Sequence, residues 1–406
     1  MKILMVNKFL YSRGGAENYM LKIGRFLEKN GHTVAYFGMY DEKNTVGNPS
    51  GLYTGNMDFH GKSLSRFLYP FRIVYSLEAK RKISKVIEDF QPDIIHLNNI
   101  NFQLTPSVID AAAKYGVPIF QTVHDYQMIC PNHLLYNLQE KAPCERCISG
   151  SKWNCARYKC IHDSRAKSII GSLEGILYKI HPAYKKVDCF ICPSHFLEEK
   201  LWQGADCFKG KTVAIHNFIE DDAAFASETT GGYVAFAGRL SYEKGVTLLA
   251  QTARQLPQYR FVVMGDGPDR NALENIDNVE LTGFLTGDAL KTRIAHADLL
   301  VVPSVWYENC PLTILEANSM GVPVITMKMG GMAELVEDGV NGLLVSEVNP
   351  EALAAAIRRA MENPEFLKEM KRNCLRSNDK SLQLEQYCSI LLEKYDQAVR
   401  GRKQHL

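Results

Sequence analysis

Two carboxylates eight residues apart, Glu308 and Glu316, bracket the run Asn309, Cys310, Pro311 and Leu312. Pro311 suits the first turn of a helix, where a missing N–H costs nothing. Backbone amides from Asn309 to Leu312 would then face an anion, aided by the helix dipole. On one continuous helix the two acids would stand about 80° apart. Glu308 is therefore expected in the preceding loop and Glu316 a turn or more into the helix. One carboxylate would accept hydrogen bonds from sugar hydroxyls and the other from ribose hydroxyls. The same spacing also suits an ordinary helix-end acid beside a solvated glutamate.

A second cluster runs from Ala237 to Gly245 and carries Arg239 and Lys244. A forked guanidinium and a point ammonium beyond a strand end suit a diphosphate. They would neutralise charge developing on a departing phosphate, although a solvated loop has the same composition. Gly265-Asp266-Gly267-Pro268 resembles part of a dinucleotide fingerprint, but Pro268 and the missing third glycine reduce it to a tight turn bordering a nucleotide. Gly14 and Gly15 open a helix after the first strand and would let the backbone approach a ligand closely; a generic strand-to-helix turn looks the same. His124 ends a strand facing the same side. It could bond a substrate or move a proton, or serve a structural role on a backbone carbonyl.

Short β-branched runs alternating with helical patterns must position these groups. Strands are expected at Lys2–Val6, Thr33–Phe37, Asp93–Leu97, Pro118–Val123, Cys189–Cys192 and Thr212–His216, then at Tyr233–Ala237, Tyr259–Met264, Val279–Leu281, Asp298–Val302 and Val322–Thr326. Such alternation yields parallel sheets covered on both faces by helices. The two series meet near residues 218–232, so the chain is expected to fold as two α/β, Rossmann-like, doubly wound domains. The N-terminal domain is placed at 1–220 and the C-terminal one at 221–383, with a final helix at about 384–406 returning to the first. Ligands of such sheets bind beyond the strands' C-terminal ends, which places the site in the cleft between the domains.

Taken in order, Gly14-Gly15, His124, Arg239 with Lys244, and the Glu-x7-Glu segment closely resemble the family-4-type retaining glycosyltransferases of GT-B architecture. Pro193-Ser194, His216-Asn217-Phe218, and Gly330-Gly331 with Glu334 add to the resemblance, which spans essentially the whole chain. It implies a catalytic set of His124, Arg239, Lys244 and Glu308. Arg239 and Lys244 would hold the diphosphate of a UDP- or GDP-linked donor. Glu316 would take the ribose and Glu308 the transferred sugar, with amides of Asn309 to Leu312 lining sugar and phosphates. Gly15 would approach the diphosphate, and Gly265 and Gly267 would border the nucleotide. The resemblance further implies retention of configuration without a catalytic metal, and a glycan or lipid-linked glycan acceptor in cell-surface polysaccharide assembly. Asn309-Cys310 stands where the family more usually has Gly-Phe, which leaves sugar selectivity open. A nucleotide-sugar epimerase or hydrolase of the same architecture is the alternative, followed by a non-catalytic nucleotide-sugar-binding protein.

Eleven cysteines is a high count, and a cluster of them interrupts the first domain over residues 126–163. Cys144, Cys147, Cys155 and Cys160 have the spacing of a small structural zinc site, with Cys130 as an alternative ligand; free thiols, a disulfide or another metal centre remain open. A loop of about forty residues without regular structure would need such a staple.

Hydrophobic residues make up 46% of the chain and charged residues 23%, a soluble, globular balance. No run approaches a membrane span, and the N-terminus reads as a strand and not a signal peptide, so a cytoplasmic protein is expected. The net charge of +2 divides into +6 for residues 1–222 and −4 for the remainder, which suggests an anionic partner for the first half. The segment Ser168–Lys186 reads either as a core-facing helix or as an amphipathic one on anionic lipid, with Tyr69, Phe71, Arg72 and Lys80-Arg81-Lys82 contributing. Peripheral attachment to the inner membrane face is the corresponding expectation, and nucleic acid is not an expected partner.

Overall fold

The computed structural model describes residues 1–55, 74–220, 222–227, 229–377 and 382–403. Tyr69, Phe71 and Arg72 lie outside them. Two six-stranded sheets, with parallel pairing at every step, dominate the fold. The first has β1 (Lys2–Val6), β2 (Thr33–Phe37), β3 (Ile94–Leu97), β4 (Ile119–Thr122), β7 (Cys189–Cys192) and β8 (Thr212–Ala214), in the spatial order β2-β1-β3-β4-β7-β8. The second has β9 (Tyr233–Ala237), β10 (Arg260–Met264), β11 (Val279–Gly283), β12 (Leu299–Val302), β13 (Val324–Met327) and β14 (Gly342–Val345), in the order β11-β10-β9-β12-β13-β14. Central strands such as β3, β12 and β13 are buried along their whole length. Helices therefore cover both faces, and alternation of apolar with polar residues is absent.

Strand β14 was not anticipated. Gly342-Leu-Leu-Val345 is short, begins with glycine, and pairs only because β13 presents a matching edge. The cysteine segment also differs from a structureless loop. It contains a hairpin, β5 (Tyr136–Asn137) with β6 (Ala142–Pro143), and a one-turn helix at Asn154–Arg157. Local turns supply these hydrogen bonds, and no long-period pattern announces them. The helix expected at Ser168–Lys186 runs from Arg165 to Ile180, capped by the Ser164 side chain, and passes into a 3-10 turn at Pro182–Lys186. Proline at 182 lacks the N–H needed to continue it.

The helix Leu384–Lys403 packs on the first domain, and the hydrophobic cluster there contains Tyr387, Leu391 and Tyr395 beside Ile3, Met5 and Tyr19. Tyr387 and Tyr19 share a hydroxyl hydrogen bond of 2.5 Å. Arg402 donates to both carboxylate oxygens of Asp188. The Tyr395 hydroxyl meets Nδ1 of His96, whose Nε2 lies 2.8 Å from Thr122 Oγ1. Burial pushes the His96 pKa down to about 3.

That burial sets an acid limit on stability. Below about pH 6.5 the unfolded chain protonates this histidine while the folded chain does not. Stability should therefore fall by about 1.4 kcal/mol per pH unit from this residue alone as pH drops from 6.5 towards 3. Urea titrations at pH 7, 6 and 5 test this. A His96→Gln variant that keeps the wild-type pH slope would assign the acid sensitivity elsewhere.

Candidate active site

A cleft of about 940 Å³ opens between the C-terminal edges of the two sheets. From the first domain it takes Gly15 and His124. From the second it takes Lys244, Glu308 to Leu312, and Glu316. A further cavity of about 500 Å³ lies against the second domain alone, lined by Arg239, Gly265, Asp266, Phe284, Leu285 and Leu290. Leu312, Thr313 and Glu316 belong to both. The two spaces are thus contiguous, with Glu316 at their junction.

This division alters one expectation. Arg239 and Lys244 do not face one cavity together, since Arg239 lies on the smaller space and Lys244 on the larger. Gly14 and Gly267 line neither. A side chain at 267 would strike the Leu240 carbonyl, 2.3 Å from an ideal Cβ, so that glycine serves loop packing. A Cβ at Gly15, by contrast, would meet no atom of the described residues within 4 Å beyond its chain neighbours and its own helix backbone. The neighbouring protein therefore does not itself demand glycine at this position.

Chain reversal in the second domain brings its parts together. Strands β9 and β12 are neighbours although two βα units separate them in sequence, which makes the gap beyond them the switch point of the sheet. The loop after β9 ends at Gly245, whose φ of +78° favours glycine. An ideal Cβ there would lie 1.9 Å from the Pro303 carbonyl oxygen. This close approach lets Lys244 reach the loop after β12. There Glu308 accepts from Lys244 Nζ at 2.5 Å and from Ser304 Oγ at 2.9 Å. Glu308 is in the loop and Glu316 in the helix Leu312–Ser319, with Pro311 as its N-cap. Pro311 has no N–H, so the helix end presents amides of its neighbours only. Cys310 turns its side chain into the second domain's core, and burial raises its thiol pKa to about 12.

Several contacts tie the domains across the cleft. Asn309 Nδ2 donates to the His124 carbonyl at 2.8 Å, and the Tyr126 hydroxyl donates to the Tyr307 carbonyl at 3.2 Å. The Glu334 carboxylate accepts from the amides of His195 and Phe196, at the start of the helix His195–Gly204, and lies 3.0 Å from His216 Nε2. Burial alone would raise the Glu334 pKa, but these hydrogen bonds outweigh it and hold the acid below its usual range. Gly331 permits the approach of Glu334's segment, because a Cβ there would lie 1.6 Å from the Asn309 carbonyl.

His124 Nε2 lies 2.9 Å from Asn98 Oδ1, and its ring packs edge-on to Tyr19. Burial lowers its pKa to about 4, against the opposing field of Asp125, so the imidazole is neutral near pH 7. With Oδ1 of Asn98 as acceptor, Nε2 carries the proton and Nδ1 is the acceptor.

Sequence reading missed part of this lining. Lys8, Asn99, Asn101 and Phe102 face the cleft from the ends of β1 and β3, while His133 and His162 reach it from the cysteine segment. A polar run directly after a buried strand, as in Asn98-Asn99-Ile100-Asn101, was the available signal. Three cleft residues also carry buried polar atoms with no hydrogen-bond partner among the described residues, namely Asn101 Oδ1, Trp306 Nε1 and Asn309 Oδ1. Such atoms are costly unless a ligand or water satisfies them. The arrangement offers mixed donors and acceptors, aromatic faces and the ammonium groups of Lys8, Lys22 and Lys244, which suits a polyhydroxylated ligand bearing phosphate.

All described cysteines are free. No three His, Cys, Asp or Glu side chains among the described residues stand ready as a metal-ligand set. Lys80 and Lys82 are held internally, by the Tyr75 hydroxyl and by Glu78 with the Tyr53 carbonyl. No helix among the described residues is long and apolar enough to cross a membrane.

Comparison with known proteins agrees with this geometry. Residues 13–223 match the model of Glycosyltransferase Family 4, and residues 217–376 match Glycosyl transferases group 1. An uncharacterized 42.6 kDa protein in the cps region of Klebsiella pneumoniae is 26% identical over 82% of this chain and 87% of its own length. The GDP-mannose-dependent alpha-mannosyltransferase of Corynebacterium glutamicum is 26% identical over 87% of this chain and 78% of its own. Among solved structures, Anabaena HepE in complex with UDP superposes with a TM-score of 0.67 at 19% identity, covering 98% of this chain and 100% of that one. With a family match across more than half its length and two Rossmann-like domains around one cleft, the chain belongs to glycosyltransferase family 4 and is a glycosyltransferase of GT-B architecture.

Proposed function

We propose that the protein transfers a sugar, with retention of configuration, from a UDP- or GDP-linked donor to a glycan or lipid-linked glycan in cell-surface polysaccharide assembly. The observation that carries this reading is the pair of contiguous cavities with Glu316 at their junction. A nucleoside fits the smaller space, with its ribose hydroxyls on Glu316 and its diphosphate between Arg239 and the amides at the start of Leu312–Ser319. The sugar then enters the larger space, where Glu308 and the neutral His124 bond its hydroxyls. As the glycosidic bond breaks, charge grows on the diphosphate, and Lys244, Arg239 and the helix amides stabilise it. The departing phosphate can take the acceptor's proton on the same face. The nucleotides named for the relatives, GDP-mannose and UDP, support both donor classes.

Donor binding is tested by thermal shift across UDP-, GDP- and ADP-sugars. A matching donor at a hundred times its Kd should stabilise the native state by about 2.7 kcal/mol. Glu316→Ala should lose most of that shift. If no nucleotide sugar stabilises the wild type, the donor assignment fails.

The basic first domain docks on anionic lipid through the helix Arg165–Ile180. Its Ile169, Leu173 and Ile180 are 38, 48 and 75% exposed, beside Lys167, Lys179 and Lys185. Flotation with vesicles containing anionic lipid should carry the protein upward in low salt. A protein that stays at the bottom of the gradient with these vesicles has no such surface.

A further inference from the structure

The five cysteines of the inserted segment, scattered over thirty-one positions, converge. Cys130, Cys144, Cys147, Cys155 and Cys160 line a single void of about 10 Å³, together with Pro131, Asn132 and Tyr136. Such a space is about one water in size. It is of the size of a single ion. Within the group, Cys130, Cys147 and Cys155 are buried, and Cys160 is held beside Cys155 by its backbone N–H on the Cys155 carbonyl at 3.1 Å, whereas the half-buried Cys144 donates instead to the Leu135 carbonyl at 2.8 Å.

A second observation concerns charge. Lys152 is buried, 5% exposed, and its ammonium donates to the carbonyls of Ile129 and Cys147 at 2.6 and 2.5 Å. No carboxylate among the described residues pairs with it within 4.0 Å, and the groups whose field favours its charge are Cys147 and Cys130. An ammonium buried beside neutral thiols is costly. Four thiolates around a divalent ion carry a net charge of −2, which is what this lysine lacks.

Third, among the described residues six of the ten non-glycine residues with positive φ fall in this segment: His133, Leu135, Lys141, Lys159, His162 and Asp163. Each costs on the order of 1–3 kcal/mol and persists only where the surroundings over-determine it. A hairpin of two residues per strand and a one-turn helix provide little such restraint.

We propose that Cys130, Cys147, Cys155 and Cys160 bind one structural zinc ion as a tetrathiolate, with Lys152 as its buried counter-charge. Cys130 thus replaces Cys144 in the ligand set that spacing suggested. Binding releases the four thiol protons to solvent. Each cysteine has a single side-chain torsion, so contraction to Zn–S bonds of about 2.3 Å requires rotation about χ1. Because each thiol must lose its proton to bind, metal loading is expected to weaken as pH falls. The ion also has a place in the architecture of the cleft. Pro131 to Leu134 directly follow Cys130, Ile161 and His162 directly follow Cys160, and all six line the cleft. Zinc would fix that wall without touching substrate.

Metal content and alkylation of the full chain test this. Protein purified under reducing conditions, without a metal-affinity step, should contain about one zinc per chain by plasma mass spectrometry. Iodoacetamide labelling mapped by peptide mass should be slow at Cys130, Cys147, Cys155 and Cys160, and accelerate by at least tenfold after chelation, while Cys144 shows no such change. Cys144→Ser should retain the zinc and Cys155→Ser should lose it. Where Cys155→Ser fails to fold, cobalt titration of the chelated wild type substitutes, and intense thiolate-to-cobalt charge-transfer absorption is the expected result. Metal-free protein that takes up neither zinc nor cobalt overturns the proposal. So do iron with acid-labile sulfide, a disulfide seen as a loss of two hydrogens, or chelator-sensitive labelling at Cys144 in place of Cys130.

Discussion

Replacing Glu308 with glutamine is expected to lower kcat/KM by at least about a hundredfold while leaving the protein folded. The carboxylate holds Lys244 Nζ at 2.5 Å and Ser304 Oγ at 2.9 Å and borders the larger cavity. Glutamine preserves the shape and can still accept one hydrogen bond. It removes the charge that orients the ammonium and offers an N–H where an acceptor is needed. The Lys244 side chain retains about a third of its exposure, so water can satisfy the displaced ammonium and the stability cost is limited. Under the proposed mechanism the loss should therefore fall on turnover, since Lys244 would meet charge that grows only as the bond to the diphosphate breaks. Initial rates with the stabilising donor, alongside thermal melts, separate the two effects. Turnover within threefold of wild type would remove Glu308 from the chemistry. An equal loss of fold and activity would make it structural.

The largest stability effect is expected at Tyr395. Tyr395→Ala should cost about 3–5 kcal/mol, measured as a shift in the urea midpoint. This side chain belongs to the last helix, is fully buried, and packs edge-on to Phe120 with ring centres 4.9 Å apart. Its hydroxyl is also the partner of His96. Truncation therefore leaves a cavity and an unpaired buried imidazole together. Tyr395→Phe isolates the second contribution and should cost about 1–2 kcal/mol. If alanine costs no more than phenylalanine, the C-terminal helix is not holding the first domain through this residue.

Much of the frame was legible because buried parallel strands are continuous apolar runs. Strands β1, β2, β7 and β9 begin and end where the residue pattern places them. Strand β14 was not legible, since four residues starting with glycine carry no periodicity and depend on the edge of β13. The candidate site divides similarly. Glu308, Glu316, Lys244, His124 and Gly15 follow strand ends, and strand ends of doubly wound sheets converge on one crevice, so order along the chain was enough to group them. Distance was another matter. That Lys244 pairs with Glu308 while Arg239 faces a separate cavity depends on how closely Gly245 lets two loops approach.

The sequence by itself determined the family, the alternation of strand and helix, and the chemical types gathered at the cleft. These depend on local pattern and on residues that only their own positions can supply. Tertiary structure decided which of those residues meet. It returned Tyr387 and Tyr395 to a domain that begins more than 380 residues earlier. It also drew Cys130 towards thiols up to thirty positions away. Contacts of that range follow from how sheets stack and loops close, and no spacing within the chain encodes them directly.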